Sequence, residues 1–177
     1  MPAPTLTTPR LTLRAHTMDD LDALCDLFAT DRARFMGGPV SRKDAWRWIA
    51  SEVAMWDLLG HGPWGIEDRD GQFLGQIGLF KPPHFPELEL GWTLLAQAEG
   101  QGYAFEAALA ARNWAAEQGH TTVVSYIDPA NSRSIALAER LGAIHDPQAA
   151  LPAGETASDT VVYRHALDTD GSPEAYA

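Results

Sequence analysis

Hydrophobic and polar residues alternate over residues 10–14, which predicts a strand, because successive side chains of a strand face opposite sides. From residue 19 to residue 28 the apolar residues instead recur at helical spacing. The acidic pair Asp19 and Asp20 stands at the start of this helix, where the helix dipole favours negative charge. After a loop at 31–40, a second helix is predicted from residue 41 to residue 59. Its predicted apolar stripe consists of Trp46, Ile49, Val53 and Trp56.

The rest of the chain alternates strands with helices. Strands are predicted at 64–67, 73–80, 87–95, 121–127 and 161–164, and the first two are joined by a turn at Asp70-Gly71. Helices are predicted at 105–118 and 131–141, each closed by a glycine. The order of elements is typical of an α+β fold with a mixed α/β sheet and two late βαβ-like crossovers. We expect one domain over residues 1–168, followed by a C-terminal tail at 169–177.

Composition narrows the classes of partner. The chain has 177 residues and carries 13 basic and 24 acidic residues, a net charge of −11. Such a charge disfavours non-specific binding to nucleic acid or to an anionic membrane, and it attracts cationic partners such as amines. Solubility alone explains the charge equally well.

Metal and disulfide chemistry have little support in the sequence. Cys25 is the sole cysteine and lies at a helical core position, so it is expected to be a small packing residue rather than a nucleophile. The six histidines are scattered, without metal-ligand spacing, so no metal is expected. Neither a signal peptide nor an apolar run of membrane-spanning length is present, and we expect a cytoplasmic protein. The sequence leaves monomer and homodimer open.

A glycine-rich turn stands between the strand that ends at residue 95 and the helix after it, with the sequence Gln97-Ala98-Glu99-Gly100-Gln101-Gly102-Tyr103-Ala104. The first N–H groups of a helix have no intrahelical partners, so such a turn can cradle an anion such as pyrophosphate. A dinucleotide-binding turn would need a third glycine where Phe105 stands, and a P-loop would need Gly-Lys-Ser/Thr. Both nucleotide interpretations are therefore poor.

The spacing Gln97-x-x-Gly100-x-Gly102 is followed by a helix, a strand and the segment Asn131-Ser132-Arg133-Ser134. This arrangement resembles the GCN5-related N-acetyltransferase (GNAT) superfamily, and more narrowly its ribosomal-protein N-terminal acetyltransferase branch. The resemblance to this family also includes three other segments: residues 8–14 at the start of the chain, residues 89–92 in the central strand, and Tyr163-Arg164 in the last strand. It therefore covers nearly the whole chain. It implies the GNAT-type acyl-CoA N-acyltransferase fold, a single central mixed sheet flanked by helices.

The resemblance also implies an acetyl-CoA site. Backbone N–H groups of the glycine turn would hold the pyrophosphate, and pantetheine would lie between two splayed strands. The residues implied in cofactor binding are Leu94, Leu95, Gln97, Gly100, Gln101, Gly102, Tyr103, Ala104 and Asn131. For Asn131, a helix N-cap is the structural alternative. Glu99 and Gln101 make this turn less cationic than its relatives, so a weaker cofactor affinity is expected.

Acetyl transfer to an amine needs a base and gains from an acid. Glu89 is the candidate base, because a carboxylate in the middle of a central strand needs a partner or a task; the alternative is plain solvent exposure. The tyrosine that many relatives use as the acid is absent, since Ala138 holds that position. The branch resemblance offers Ser134 instead, with Tyr126 as a second choice, and an ordinary helix-start role is open for Ser134.

The function expected is transfer of an acetyl group from acetyl-CoA to a primary amine by direct attack, with no covalent acyl-enzyme. The acceptor is a protein N-terminus or a small molecule such as a polyamine, an amino acid or an antibiotic. Trp48, which is off the apolar stripe, is a candidate for lining the acceptor groove. Two other functions stay open: a non-catalytic acyl-CoA sensor with the same fold, and a nucleotide-dependent oxidoreductase.

Overall fold

A computed structural model describes residues 2–167 of the chain, which form one eight-stranded sheet flanked by helices. The strands are β1 (Leu6–Thr7), β2 (Leu11–Arg14), β3 (Pro63–Asp68), β4 (Phe73–Phe80), β5 (Glu89–Leu94), β6 (Thr122–Ile127), β7 (Ile144–His145) and β8 (Val161–Ala166). The α-helices are α1 (Met18–Phe28), α2 (Arg42–Leu59), α3 (Tyr103–Glu117) and α4 (Ser132–Arg140). The predicted tail at 169–177 lies outside the described residues.

The sheet is mixed, as the sequence predicts. Its strand order is β1-β2-β3-β4-β5-β6-β8-β7, and every neighbouring pair is antiparallel except β5 and β6, which are parallel. That parallel pair is joined by the crossover through α3, and α4 lies on the connection from β6 to the end of the sheet. The sheet prediction is therefore confirmed, while the two-residue strands β1 and β7 were too short to be visible in the hydrophobic pattern.

The predicted helix boundaries hold to within two residues, because the caps are formed by the residues that the sequence offers. Thr17 and Asp20 form a reciprocal capping box at the start of α1. The hydroxyl of Ser41 accepts a hydrogen bond from the backbone N–H of Asp44 at the start of α2. One loop was wrong: residues Asp31–Met36, expected to be irregular, form a 3₁₀ helix capped by Thr30.

Among the described residues, two large clusters of buried side chains stabilise the sheet, and a smaller third one joins β6, β8 and α4. One unites β2 to β6 with α3, and contains three tryptophans, Trp56, Trp64 and Trp114, whose ring centroids lie 4.7 to 5.5 Å apart. The other joins α1, α2 and the 3₁₀ helix, and it buries Cys25 as expected. The predicted apolar stripe of α2 was wrong at Trp46, whose side chain is 47% exposed, while Ile49 is fully buried.

The sheet opens between β5 and β6. Their pairing is limited to Glu89 and Val124, and beyond it the hydroxyl of Ser125 donates to the carbonyl oxygen of Leu90 at 2.7 Å. A side chain thus takes the place of a ladder bond, and the two strands have no further paired residues toward the glycine turn. The gap between them is part of a large cavity.

Candidate active site

A cavity of about 1340 Å³ extends from the glycine turn, through the gap between β5 and β6, to the inner surface of α2. We refer to it as the central cavity. Glu89 and Ser134, the two predicted catalytic residues, both line it, as do Leu94, Gly100, Gly102, Tyr103, Ala104 and Asn131 from the predicted cofactor set. Leu95, Gln97 and Gln101 lie outside its lining.

The glycine turn places free N–H groups at one end of the central cavity. Gly100 and Gly102 have φ angles of 73° and 78°, in the left-handed region that favours glycine. No side chain caps α3, and within residues 2–167 the backbone N–H groups of Tyr103, Ala104 and Phe105 have no acceptor. These N–H groups and the helix dipole make the start of α3 an anion site.

The glycine turn is held from outside. The guanidinium of Arg10 donates to the carbonyl oxygen of Gln101 at 2.8 Å and lies over the ring of Tyr103. The side-chain amide of Gln101 donates to the carbonyl oxygen of Gln97, also at 2.8 Å. Gln97 and Gln101 therefore stabilise the conformation of the turn from outside the cavity lining.

The negative charge of Glu99, beside the glycine turn, is neutralised by two arginines. Its carboxylate accepts from Arg32 of the 3₁₀ helix and from Arg133 of α4, the latter at 2.7 Å, so the group of three carries a net positive charge. Arg32 also donates to the carbonyl oxygen of Leu94 at 3.2 Å. The lower positive charge that the sequence suggested at this turn is offset by two arginines from distant parts of the chain.

Backbone groups of β5 face the gap at alternate residues. The N–H of Val124 donates to the carbonyl oxygen of Leu88, and the N–H of Leu95 donates to the carbonyl oxygen of Leu74 at 2.8 Å, so even-numbered residues of β5 face β6 and odd-numbered residues face β4. Leu94 therefore faces the gap. Leu95 uses its N–H within the sheet, and the geometry favours Leu94 for a bond to a ligand.

Glu89 lies where β5 and β6 begin to diverge. Its carboxyl accepts a hydrogen bond from the backbone of Tyr126, and within the described chain no cation forms an ion pair with it. Burial in protein, together with the negative charge of Glu52 and more weakly that of Glu155, raises the pKa of Glu89 to about 8. Glu89 is thus poised to exchange a proton near neutral pH.

Ser134 and Asn131 begin α4 on the opposite wall. Asn131 is the N-cap, and its side-chain oxygen accepts from the backbone N–H of Ser134 at 3.2 Å. The indole N–H of Trp92 donates to the Ser134 hydroxyl oxygen at 3.2 Å, which leaves the hydroxyl hydrogen available to a ligand. Tyr126, the second choice of acid, accepts from the backbone N–H of Glu87, and burial raises its pKa to about 12.

The far end of the central cavity contains residues that sequence reasoning missed. Glu52 of α2 and Gln76 of β4 line it, joined by a hydrogen bond of 2.8 Å from the Gln76 amide nitrogen to a Glu52 carboxylate oxygen. The sequence contained a feature that could have identified each of these two residues. Gln76 is a polar residue in the otherwise apolar strand FLGQIGLF, and Glu52 stands four residues from both Trp48 and Trp56. Trp48 lines the cavity as well.

Within residues 2–167, no group of three or more histidine, cysteine, aspartate and glutamate side chains is arranged to hold a metal ion. Across the same residues, none of the helices combines the length and the apolar character needed to cross a membrane.

Comparison with known proteins gives a consistent match. A family model described as "Acetyltransferase (GNAT) domain" matches residues 10–144. The acetyltransferase of Agrobacterium tumefaciens is 42% identical in a solved structure, covering 93% of this chain and 95% of that chain, with a TM-score of 0.86. A structure assigned as a ribosomal-protein-serine acetyltransferase of Vibrio cholerae is 25% identical, covering 93% of this chain and 98% of that chain, with a TM-score of 0.72. The uncharacterized protein YkkB of Bacillus subtilis is 30% identical over 77% of this chain and 83% of its own length.

Proposed function

This chain belongs to the acetyltransferase (GNAT) family, and on that premise we propose that it transfers the acetyl group of acetyl-CoA to a primary amine. The family and its ribosomal-protein acetyltransferase branch, both predicted from the sequence, are confirmed by the comparisons. The family membership sets aside the nucleotide-dependent oxidoreductase.

The cofactor end fits acyl-CoA in shape and charge. Three free N–H groups at the start of α3 suit the pyrophosphate, and Arg32 and Arg133 supply positive charge beside them. The gap between β5 and β6 suits an extended pantetheine arm, with the backbone of Leu94 on one side and the side-chain amide of Asn131 on the other. Bound there, acetyl-CoA supplies the acetyl group as a reactive thioester.

Glu89 is proposed as the base. An amine that enters from the acidic end of the central cavity arrives mostly as an ammonium ion, and it must lose a proton before it can attack. Ionised Glu89 receives this proton, directly or through a water molecule. Nitrogen then bonds to the carbonyl carbon while the carbon–sulfur bond breaks. Cys25 is buried in the α1–α2 cluster, away from the cavity lining, and is not placed to act as a nucleophile. The amine therefore attacks the thioester directly, with no covalent acyl-enzyme.

Ser134 is proposed as the acid: its hydroxyl gives a proton to the departing sulfur and recovers one from the attacking nitrogen, which loses its second proton as the amide forms. The hydrogen bond from Trp92 fixes the oxygen and stabilises negative charge that develops on it. Tyr126, whose pKa is raised to about 12 by burial, stays the second choice. The observation that carries the whole proposal is Glu89: a carboxyl with a pKa of about 8, at the point where the sheet opens, that forms no ion pair with any residue from 2 to 167.

The test is acceptor-dependent release of CoA thiol, with the acetylated product identified by mass spectrometry. Wild-type protein is assayed with acetyl-CoA and a panel of amines that includes alkyl amines, diamines, amino acids and peptides with free N-termini. Thiol release with stoichiometric acetyl-amine supports the proposal. Measurable acetyl-CoA binding with no release on any acceptor would instead establish the alternative, a non-catalytic acyl-CoA sensor.

A further inference from the structure

Three side chains at the far end of the central cavity present hydrogen-bond acceptors to the same space. These are the carboxylates of Glu52 and Glu89 and the side-chain oxygen of Gln76. The Gln76 nitrogen is used by Glu52, while its Oε1 is buried and has no donor within residues 2–167. Gln76 is only 4% exposed, so this oxygen cannot be satisfied by bulk water.

Two acidic side chains lie there without a cationic partner among residues 2–167. Neither carboxylate forms an ion pair with any described residue, and burial raises the pKa of Glu52 to about 7, opposed by hydrogen bonds from Gln76 and Trp48. Buried charges are normally paired, since an isolated one is costly to desolvate. An ammonium group would supply both the missing positive charge and a donor for the orphaned Gln76 oxygen.

The strand register sets the spacing between Gln76, the partner of Glu52, and the Glu89 carboxyl. Gln76 is opposite Thr93, and two residues further along the ladder Gly78 is opposite Gly91. The Glu89 carboxyl carbon lies 3.5 Å from the position that a Cβ on Gly91 would occupy, so this carboxyl leans along the strand toward Gln76. Two residues of an antiparallel strand span about 7 Å, a distance that three to five methylene groups bridge.

The surface between the carboxylates is apolar. The ring of Phe80 lies over Gly78 and reaches Gly91, with a ring atom 3.1 Å from the position of a Cβ atom built on Gly91. A Cβ atom at Gly78 would collide with this ring, so glycine there makes room for it. The ring offers a flat apolar surface to a short hydrocarbon chain.

We propose that Glu52 and the Oε1 of Gln76 form a second ammonium site, and that the acceptor is a short aliphatic diamine or a longer polyamine. One nitrogen reacts beside Glu89, the methylene chain lies along Phe80, and the second nitrogen binds Glu52 and Gln76 as an ammonium ion. This inference rests on the proposed acetyl transfer and names the acceptor class of that same site.

A kinetic comparison tests the substrate class. Wild-type protein should acetylate 1,4-diaminobutane with a kcat/KM at least about tenfold above that of butylamine and of a neutral peptide N-terminus, with the gain expressed in KM. Glu52→Gln should raise the KM for the diamine about tenfold and bring the ratio of the two amines close to one. Glu117→Gln, which removes an exposed charge at the end of α3, should keep the wild-type ratio.

A binding experiment keeps this inference separate from catalysis. N,N,N′,N′-tetramethyl-1,4-diaminobutane is a dication that cannot be acetylated, and calorimetry on the CoA-loaded protein should show its binding weakened about tenfold by Glu52→Gln. Such binding without turnover on any amine would refute the proposed function and leave the ammonium site standing. Equal use of diamine and monoamine by the wild type would overturn the ammonium site, as would a diamine preference unchanged in Glu52→Gln.

Discussion

The pH dependence of turnover is set by the environment of Glu89. With a pKa of about 8, roughly a tenth of the Glu89 carboxyls are ionised at pH 7 and about nine-tenths at pH 9. If Glu89 is the base, kcat should therefore rise about tenfold per pH unit below pH 8 and level off above it. Replacing it in Glu89→Gln should lower kcat by about 10²- to 10⁴-fold at pH 9, and by less as the pH falls.

A second variant tests the cause of the raised pKa. Glu52 is a negative neighbour that raises the pKa of Glu89, with Glu155 a weaker one. Glu52→Gln removes one of these charges, so the midpoint of the kcat profile should move below pH 8, while Glu89→Gln removes the midpoint altogether. The two substitutions thus have different effects on the pH profile: one shifts the midpoint and the other abolishes it.

The assay uses butylamine and saturating acetyl-CoA from pH 6 to pH 10, with thiol release as the readout. Ionisation of butylamine is common to all three proteins and cancels when each profile is divided by that of Glu89→Gln. A wild-type to Glu89→Gln ratio that is constant across this range would refute the assignment of Glu89 as base. A midpoint that stays at pH 8 in Glu52→Gln would refute the electrostatic explanation of the pKa.

Three further outcomes are expected. Gly102→Glu should weaken CoA binding more than tenfold in calorimetry, because a side chain at a φ of 78° strains the turn and the new carboxylate adds negative charge beside the anion site. Gly142→Ala, with a similar φ of 80° away from the cavity, should leave CoA binding unchanged. Ser134→Ala should lower kcat about tenfold or more with little change in the KM for acetyl-CoA, and an unaffected kcat would contradict the acid role. Trp92→Phe, which removes the hydrogen bond to the Ser134 hydroxyl, should also lower kcat. Glu52→Gln should raise the free energy of unfolding by up to about 3 kcal/mol at pH 9, and by much less at pH 5. The reason is that the pKa of Glu52 is raised to about 7 in the folded protein, so the stability that this carboxyl contributes below its unfolded pKa is lost as the pH rises through 7. Equal melting temperatures for the two proteins at pH 9 would contradict this.

The architecture was largely readable from local patterns. Alternation predicted β2, helical spacing and acidic first turns predicted α1, and the glycines and asparagine at strand–helix junctions predicted where α3 and α4 begin and end. The same junctions carried the family resemblance. These features depend on residues close together in sequence, so the chain alone was enough to predict them.

The environment of each site residue depended on distant contacts. Arg32 and Arg133 reach Glu99 from 67 and 34 residues away, and they reverse the charge that the glycine turn suggested. Leu95 faces β4 and Leu94 the gap, a difference fixed by strand register that no single strand reveals.

The sequence by itself determined the order of elements, the anion cradle and the choice of Glu89 as a candidate base. Only the tertiary structure brought Glu52 and Gln76, 24 residues apart, into contact and placed both at the same cavity as Glu89. Backbone conformation is set by local sequence, whereas the pKa of a carboxyl and the partners of a buried amide depend on which side chains share a cavity. The proposed acid–base chemistry and the inferred acceptor class of this protein therefore depend on its tertiary contacts.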